Sequence, residues 1–170
     1  EIPYVFPKTD NGRYSVINQS NFRKIPSFTI GYWVSNNVLS SFDNQNLYES
    51  TISDGQTKTG DNDKFLRDTW EVSANKLGNN KKWIFYAKGG GFRRWYGNLD
   101  TVINWSDEAR TFYRKDKIAR ILPEYLWKKE GITWSYVCSG IPSFRTLPSD
   151  AIFDVGGSSV FFNNDSDIIP

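Results

Sequence analysis

The sequence contains no histidine, no methionine and a single cysteine, Cys138. Without an imidazole the chain cannot assemble a Ser-His-Asp or Cys-His relay, nor a zinc site with a histidine ligand. One thiol excludes both a cysteine-rich metal site and an intrachain disulfide. Carboxylate, lysine, serine and tyrosine chemistry remain, as does no chemistry at all. Long apolar runs are also missing, since none approaches the roughly 18 to 20 residues that cross a bilayer. The first 30 residues lack the basic start and apolar core of a secretory signal. These absences predict a soluble, cytoplasmic protein with no membrane partner. Because the chain begins at Glu1 and holds no methionine, it is expected to be an excised piece of a longer polypeptide.

What is present is a chain of 170 residues, enough for one domain or one domain and a small annex. Its 7 Trp, 9 Tyr and 12 Phe can fill a core of that size and still leave rings for stacking on planar ligands. The net charge of +2 conceals an uneven distribution. Residues 1–80 carry 8 positive and 9 negative groups, 81–130 carry 12 and 6, and 131–170 carry 1 and 4. A basic middle inside a near-neutral chain is either the footprint of a polyanion or a set of solvated lysine-rich faces.

Pro3, Pro7 and Pro26 punctuate the start, where residues 12–26 predict a short strand and then a helical turn capped by Asn18 or Ser20. Trp33, Val34, Val38, Leu39 and Phe42 stand close to helical spacing, which predicts a short helix with a buried face over 31–42. The polar stretch 43–63 reads as a loop or hairpin end, with Asp61 and Asp63 making turn hydrogen bonds. Strands are predicted at 69–73, 83–87 and 101–105, with turns at 75–82 and at Gly89, Gly90 and Gly91. Ser106, Asp107 and Glu108 open a helix that ends in cations, and a second short helix runs from Pro123 to Lys128 and Lys129, stopped by Gly131. Strands at 131–139, 143–148, 151–157 and 159–162 follow, with Cys138 read as a buried small residue and 163–170 as a fraying acidic tail. The pattern predicts an α+β fold, a mixed and mostly antiparallel sheet with a few short helices.

The triple glycine invites a phosphate-loop reading, but KGGGFRRW lacks the Gly-Lys-Ser/Thr ending of a triphosphate loop and the spacing of a dinucleotide fold. A sharp turn that presents Arg93, Arg94, Trp95 and Tyr96 fits better. Lys88, Arg93 and Arg94 suit phosphates or a guanine edge, Trp95 and Tyr96 suit stacking, and Asn98 suits an adenine edge. The competing reading is a hairpin with its rings in the core and its arginines solvated or salt-bridged. A nuclease built on Asp61 and Asp63 would need an Asp…Glu-x-Lys pattern, which does not occur at plausible spacing.

Three segments, TGDNDKFLR (59–67), WIFYAKGGGFRRWYGNLDTVINW (83–105) and EGITWSYVCSGIPSFRTLPSDAIFDVGGSSVFF (130–162), together resemble the region after the catalytic domain in BREX-type, PglX-like adenine-specific DNA methyltransferases. SFTIGYWVSNNVLSSF (27–42) resembles that family's link out of the catalytic domain. The family's glycine-rich S-adenosylmethionine loop and its Asn-Pro-Pro-Tyr motif are both missing from this chain. The resemblance therefore implies a target-recognition domain, with 1–42 as a connecting segment, 43–162 as the DNA-recognition core and 163–170 as a tail. It implies no cofactor in this chain, S-adenosylmethionine in a separate catalytic domain, and double-stranded DNA and that methyltransferase domain as partners.

Carried over by position, Thr59, Gly60, Asn62, Lys64 and Arg67 match a segment near the domain junction and the DNA, with Lys58 immediately before it. Lys88, Arg93, Arg94, Trp95, Tyr96 and Asn98 match the basic-aromatic segment, and Thr133, Trp134, Ser135 and Arg145 match the C-terminal motif. The alternative from another class is a protein-interaction module that meets other subunits of a phage-defence assembly.

Overall fold

The computed structural model describes residues 16–163. These form two compact units that divide between Glu49 and Ser50. The region around Pro3 and Pro7, the start of the strand expected in 12–26, and the tail beyond Asn163 lie outside the described residues.

In the first unit a 3-10 turn spans Gln19–Lys24, and Asn18 Oδ1 caps it by accepting from the Ser20 N–H at 2.9 Å, as expected. Helix α1 (Asn36–Ser41) begins later than expected because Ser35 is its cap, its Oγ accepting from the Val38 N–H. Six residues give too narrow a stripe for the whole apolar set. Leu39 is buried, while Trp33, Val38 and Phe42 are exposed. A second short helix, α2 (Leu47–Ser50), lies at the division.

The second unit holds two four-stranded sheets. The first contains β1 (Thr51–Ile52), β5 (Gly131–Trp134), β6 (Phe144–Leu147) and β8 (Ser159–Phe162) in the order β1-β8-β5-β6, all antiparallel. The second contains β2 (Leu66–Asp68), β3 (Trp83–Ala87), β4 (Thr101–Asn104) and β7 (Ala151–Phe153) in the order β2-β4-β3-β7. Only its β3–β7 pair is parallel, with Ala87 opposite Phe153. The fold is thus α+β with mostly antiparallel sheets and few short helices, as the sequence predicted.

Local chemistry accounts for these elements. In β3 the β-favouring run WIFYA buries Ile84, Tyr86 and Ala87 between its two neighbours. Helix α3 (Asn62–Phe65) is capped by Asp61 Oδ1, which accepts from the Lys64 N–H at 3.1 Å. Helix α4 (Asp107–Lys115) has Ser106 as cap, Asp107 and Glu108 in its first turn and Arg114 and Lys115 in its last, which suits the helix dipole. Its Tyr113 is buried and donates to the Asn104 carbonyl at 2.8 Å. The Phe153 and Phe161 rings, 5.9 Å apart, join the second sheet to the first. With Ile103, Leu122, Leu126 and Leu147 they form the core, each side chain contributing about 1.5–3 kcal/mol on burial.

Three expectations are corrected. Residues 69–73 are not a strand, because Glu71 Oε2 accepts from the Asp68 N–H at 2.7 Å and closes a 3-10 turn over Thr69–Glu71. The helix expected from Pro123 shrinks to a 3-10 turn at Glu124–Leu126. Trp127 is extended and pinned through its indole N–H to the Leu122 carbonyl at 2.8 Å, and Lys128 is left-handed with φ 59°. Cys138 is exposed, because β5 stops at Trp134 and the chain bends away before reaching it.

Candidate nucleic-acid interface

The site is built around the exit of β3. Gly89 and Gly90 have φ of +80° and +125°, in the region that favours glycine. A side chain at Gly89 would place its Cβ 2.2 Å from the Gly156 carbonyl oxygen, and one at Gly157 would come within 2.3 Å of the Ala87 oxygen. Gly89 and Gly157 therefore let two backbone segments touch. The contact leaves no room for a side chain at Gly89.

Beyond that contact the segment 89–98 is held at several points. Ser135 Oγ donates to the Gly90 carbonyl at 2.8 Å, and Asn98 Nδ2 donates to the Gly91 carbonyl at 2.9 Å. The Trp95 N–H donates to the Phe144 carbonyl at 3.0 Å, and the Trp95 carbonyl accepts from the Thr146 N–H at 2.9 Å. These last two bonds lay Trp95 along the free edge of β6 as a one-residue parallel bridge to Arg145.

The side chains of this pinned loop face outward. Trp95 is 74% and Tyr96 67% exposed, so neither belongs to the core. No carboxylate of the described residues lies within ion-pair distance of Lys88, Arg93 or Arg94. Arg94 stacks over Phe92 with its guanidinium carbon 5.2 Å from the ring centroid. The Lys88 ammonium lies 5.9 Å from the Tyr86 ring centroid.

Tyr86 ties this loop to the earlier segment. A cleft of about 390 Å³ is lined by Tyr86, Lys88, the three glycines, Arg93 and Asn98. A second cleft, of about 250 Å³, is lined by Tyr86, Lys58, Gly60, Asn62 and Asp154. Tyr86 itself is buried and donates to the Thr57 carbonyl at 2.7 Å. Burial, reinforced by the Asp154 carboxylate, holds its phenol well above the ordinary tyrosine value.

The remaining predicted residues each have partners of their own. Lys64 sits over the Phe65 and Phe112 rings at 5.0 and 4.9 Å and lines neither cleft. Arg67 donates to the Asp63 and Leu66 carbonyls. Trp134 packs on Phe144 with centroids 6.0 Å apart. Asn62 accepts from the buried Thr59 hydroxyl at 2.7 Å. Arg145 is only 2% exposed, and its guanidinium donates to Ser143 and to Ser135 Oγ. Its Nε has no hydrogen-bond partner among the described residues, and desolvation lowers its pKa from the ordinary arginine value.

Sequence reasoning missed two further clefts. One, of about 550 Å³, lies between Trp95 and the strands β5 and β6. The other, also about 550 Å³, gathers Lys81, Lys82, Arg110 and Lys128 around Trp105 and Trp127, with Asp107 and Glu108 on the same wall. Part of the basic middle is thereby accounted for internally, since Arg110 pairs with Asp107 and Arg114 with Glu124. Among the described residues no helix is long and apolar enough to cross a membrane, and no group of His, Cys, Asp and Glu is placed to hold a metal.

Comparison of the sequence with known proteins relates it to bacterial adenine-specific methyltransferases. The chain is a relative of the BREX-type, PglX-like adenine-specific methyltransferases. It is 36% identical over 171 residues to the adenine-specific methyltransferase PglX of Lacticaseibacillus casei (strain Zhang), covering 89% of this chain and 14% of that protein. It is 36% identical over 154 residues to the adenine-specific methyltransferase BrxX of Escherichia coli O9:H4 (strain HS), covering 88% and 13%. The chain thus spans about one seventh of the length of the curated relatives it matches. No protein-family model matches it.

Proposed function

We propose that this chain is the DNA-recognition part of an adenine-specific DNA methyltransferase of a restriction-modification or BREX phage-defence system. The observation that carries the reading is the loop 88–98, in which three cations without carboxylate partners alternate with exposed rings on a backbone fixed by hydrogen bonds. Unpaired cations on a rigid support bind phosphates with little ordering cost, and adjacent rings add stacking. Lys58, on the other side of Tyr86, extends the row of cations.

Methyl transfer from S-adenosylmethionine belongs, in this reading, to a separate catalytic domain. That domain and double-stranded DNA are the partners, with residues 1–42 as the connection, 43–162 as the recognition core and 163–170 as a tail. The recognition part holds the duplex while the catalytic part extracts the adenine, whose unstacking costs a few kcal/mol.

The test is fluorescence anisotropy of the chain with a duplex across a salt series. Replacing Arg93 and Arg94 by Ala is expected to weaken binding and to flatten the salt slope by about 0.9 per lost phosphate contact. An unchanged slope removes these arginines from the DNA. Absence of DNA binding at low salt, together with a stable complex with another subunit of the defence system, supports the interaction-module reading instead.

A further inference from the structure

The cleft between Trp95 and the first sheet is separate from the two that flank Tyr86. It is lined by Trp95, by Phe144 and Pro148 of the β6 region, and by Ile132, Phe162 and Glu130. Its walls are mostly carbon, and its volume of about 550 Å³ lies in the range that holds a small planar ligand.

Trp95 is held beside this cleft in an unusual way. Its φ is +71°, where a bulky L-residue is disfavoured, yet its N–H and C=O are both engaged by β6. Thr146 Oγ1 adds a third bond to its carbonyl at 3.1 Å. The backbone is thus forced into a strained state whose result is an exposed indole at the cleft mouth, which is the pattern of a ligand clamp. The two residues before it, Arg93 and Arg94, have no carboxylate partner among the described residues. An apolar cleft lined by an indole that directly follows two arginines without carboxylate partners matches a flat body with an anionic group beside it.

We propose that this cleft receives one unstacked nucleobase of the bound DNA, with the Trp95 indole as its stacking face and Arg93 and Arg94 on the neighbouring phosphates. Glu130 accepts from an exocyclic amine, so adenine and cytosine are preferred over thymine. The proposal rests on the DNA-binding reading and adds a base-receiving site distinct from any pocket of the catalytic domain.

The experiment measures the affinity of the full 170-residue chain for four duplexes that differ at one position. They are fully paired, carry a one-nucleotide adenine bulge, carry the same bulge with thymine, or carry it with an abasic nucleotide. The adenine bulge is expected to bind about 10-fold more tightly than the abasic bulge, the size of one base–aromatic stack. That ratio is expected to fall to one in Trp95→Ala, to persist in Trp95→Phe, and to narrow between adenine and thymine in Glu130→Ala. Equal affinity for adenine and abasic bulges while the paired duplex still binds overturns this site and leaves DNA binding standing. An unchanged ratio in Trp95→Ala, with the circular dichroism spectrum of the parent, also overturns it. Failure to bind any of the four overturns both readings.

Discussion

The hydroxyl of Ser135 stands between a buried cation and the glycine turn, donating to the Gly90 carbonyl at 2.8 Å while its oxygen receives Arg145 Nη2 at 3.3 Å. The guanidinium polarises the hydroxyl, which in turn fixes the glycine turn, so Arg145 acts on the exposed loop without touching solvent. Replacing Ser135 by Ala removes the bond to Gly90 and is expected to cost about 1 kcal/mol. It also leaves Arg145 Nη2 unpaired. Limited trypsinolysis reads the result, since cleavage after Arg93 and Arg94 is expected to accelerate relative to the parent. An unchanged cleavage pattern means the hydroxyl does not hold the turn.

The glycines of the turn are expected to separate sharply under mutation. At Gly89 a methyl group would meet the Gly156 oxygen at 2.2 Å in a left-handed backbone, so Gly89→Ala is expected to lose well over about 1 kcal/mol. At Gly91 nothing lies within 4 Å of the added Cβ, and Gly91→Ala is expected to remain within about 0.5 kcal/mol of the parent. Urea denaturation of the two variants tests the contrast.

Trp95 offers a separation of stability from binding. Glycine accepts the φ of +71° without strain, but it raises the entropy of the unfolded chain. Trp95→Gly is therefore expected to unfold within about 1 kcal/mol of the parent while weakening DNA binding. Parallel denaturation and anisotropy measurements show whether the indole serves the fold or the ligand.

Alkaline pH is expected to destabilise the second unit. Burial raises the pKa values of Tyr86 and Tyr113 from an ordinary 10.0, so the folded chain keeps both phenols neutral where the unfolded chain ionises them. The stabilisation is fully present below about pH 10 and is lost as pH rises above it. Melting temperatures followed from pH 8 to 11.5, values of about neutral to strongly alkaline range, should fall above pH 10. Tyr86→Phe should start from lower stability, because the Thr57 carbonyl loses its donor, and should show a shallower alkaline fall.

Much of the fold was legible where local chemistry decides structure. The run Trp83–Ala87 and the Ser106 cap with its acidic start each fixed an element at nearly its true bounds. Residues 69–73 misled because their β-favouring Thr, Trp and Val are overruled by one side-chain contact, Glu71 to the Asp68 N–H. The predicted helix after Pro123 failed because one local side-chain bond, the Trp127 indole tied to the Leu122 carbonyl, outweighs the helical pattern. The loop 88–98 was legible as a cluster of cations and rings, whereas the inward position of Arg145 depends on its pairing with Thr133 and its bond to Ser135 on a different segment.

The parallel register of β3 and β7 has a consequence for the order of assembly. Ala87 and Phe153 become neighbours only after most of the chain exists, and the Gly89–Gly156 contact follows from that pairing. Contacts so distant in sequence form slowly because a long loop must close first. During synthesis the loop at 88–98 emerges early but acquires its supports from Ser135, Phe144, Thr146 and Gly156 last. A nascent or truncated chain therefore carries its cations and rings on an unsupported segment, and competence of that surface reports that translation has passed β7.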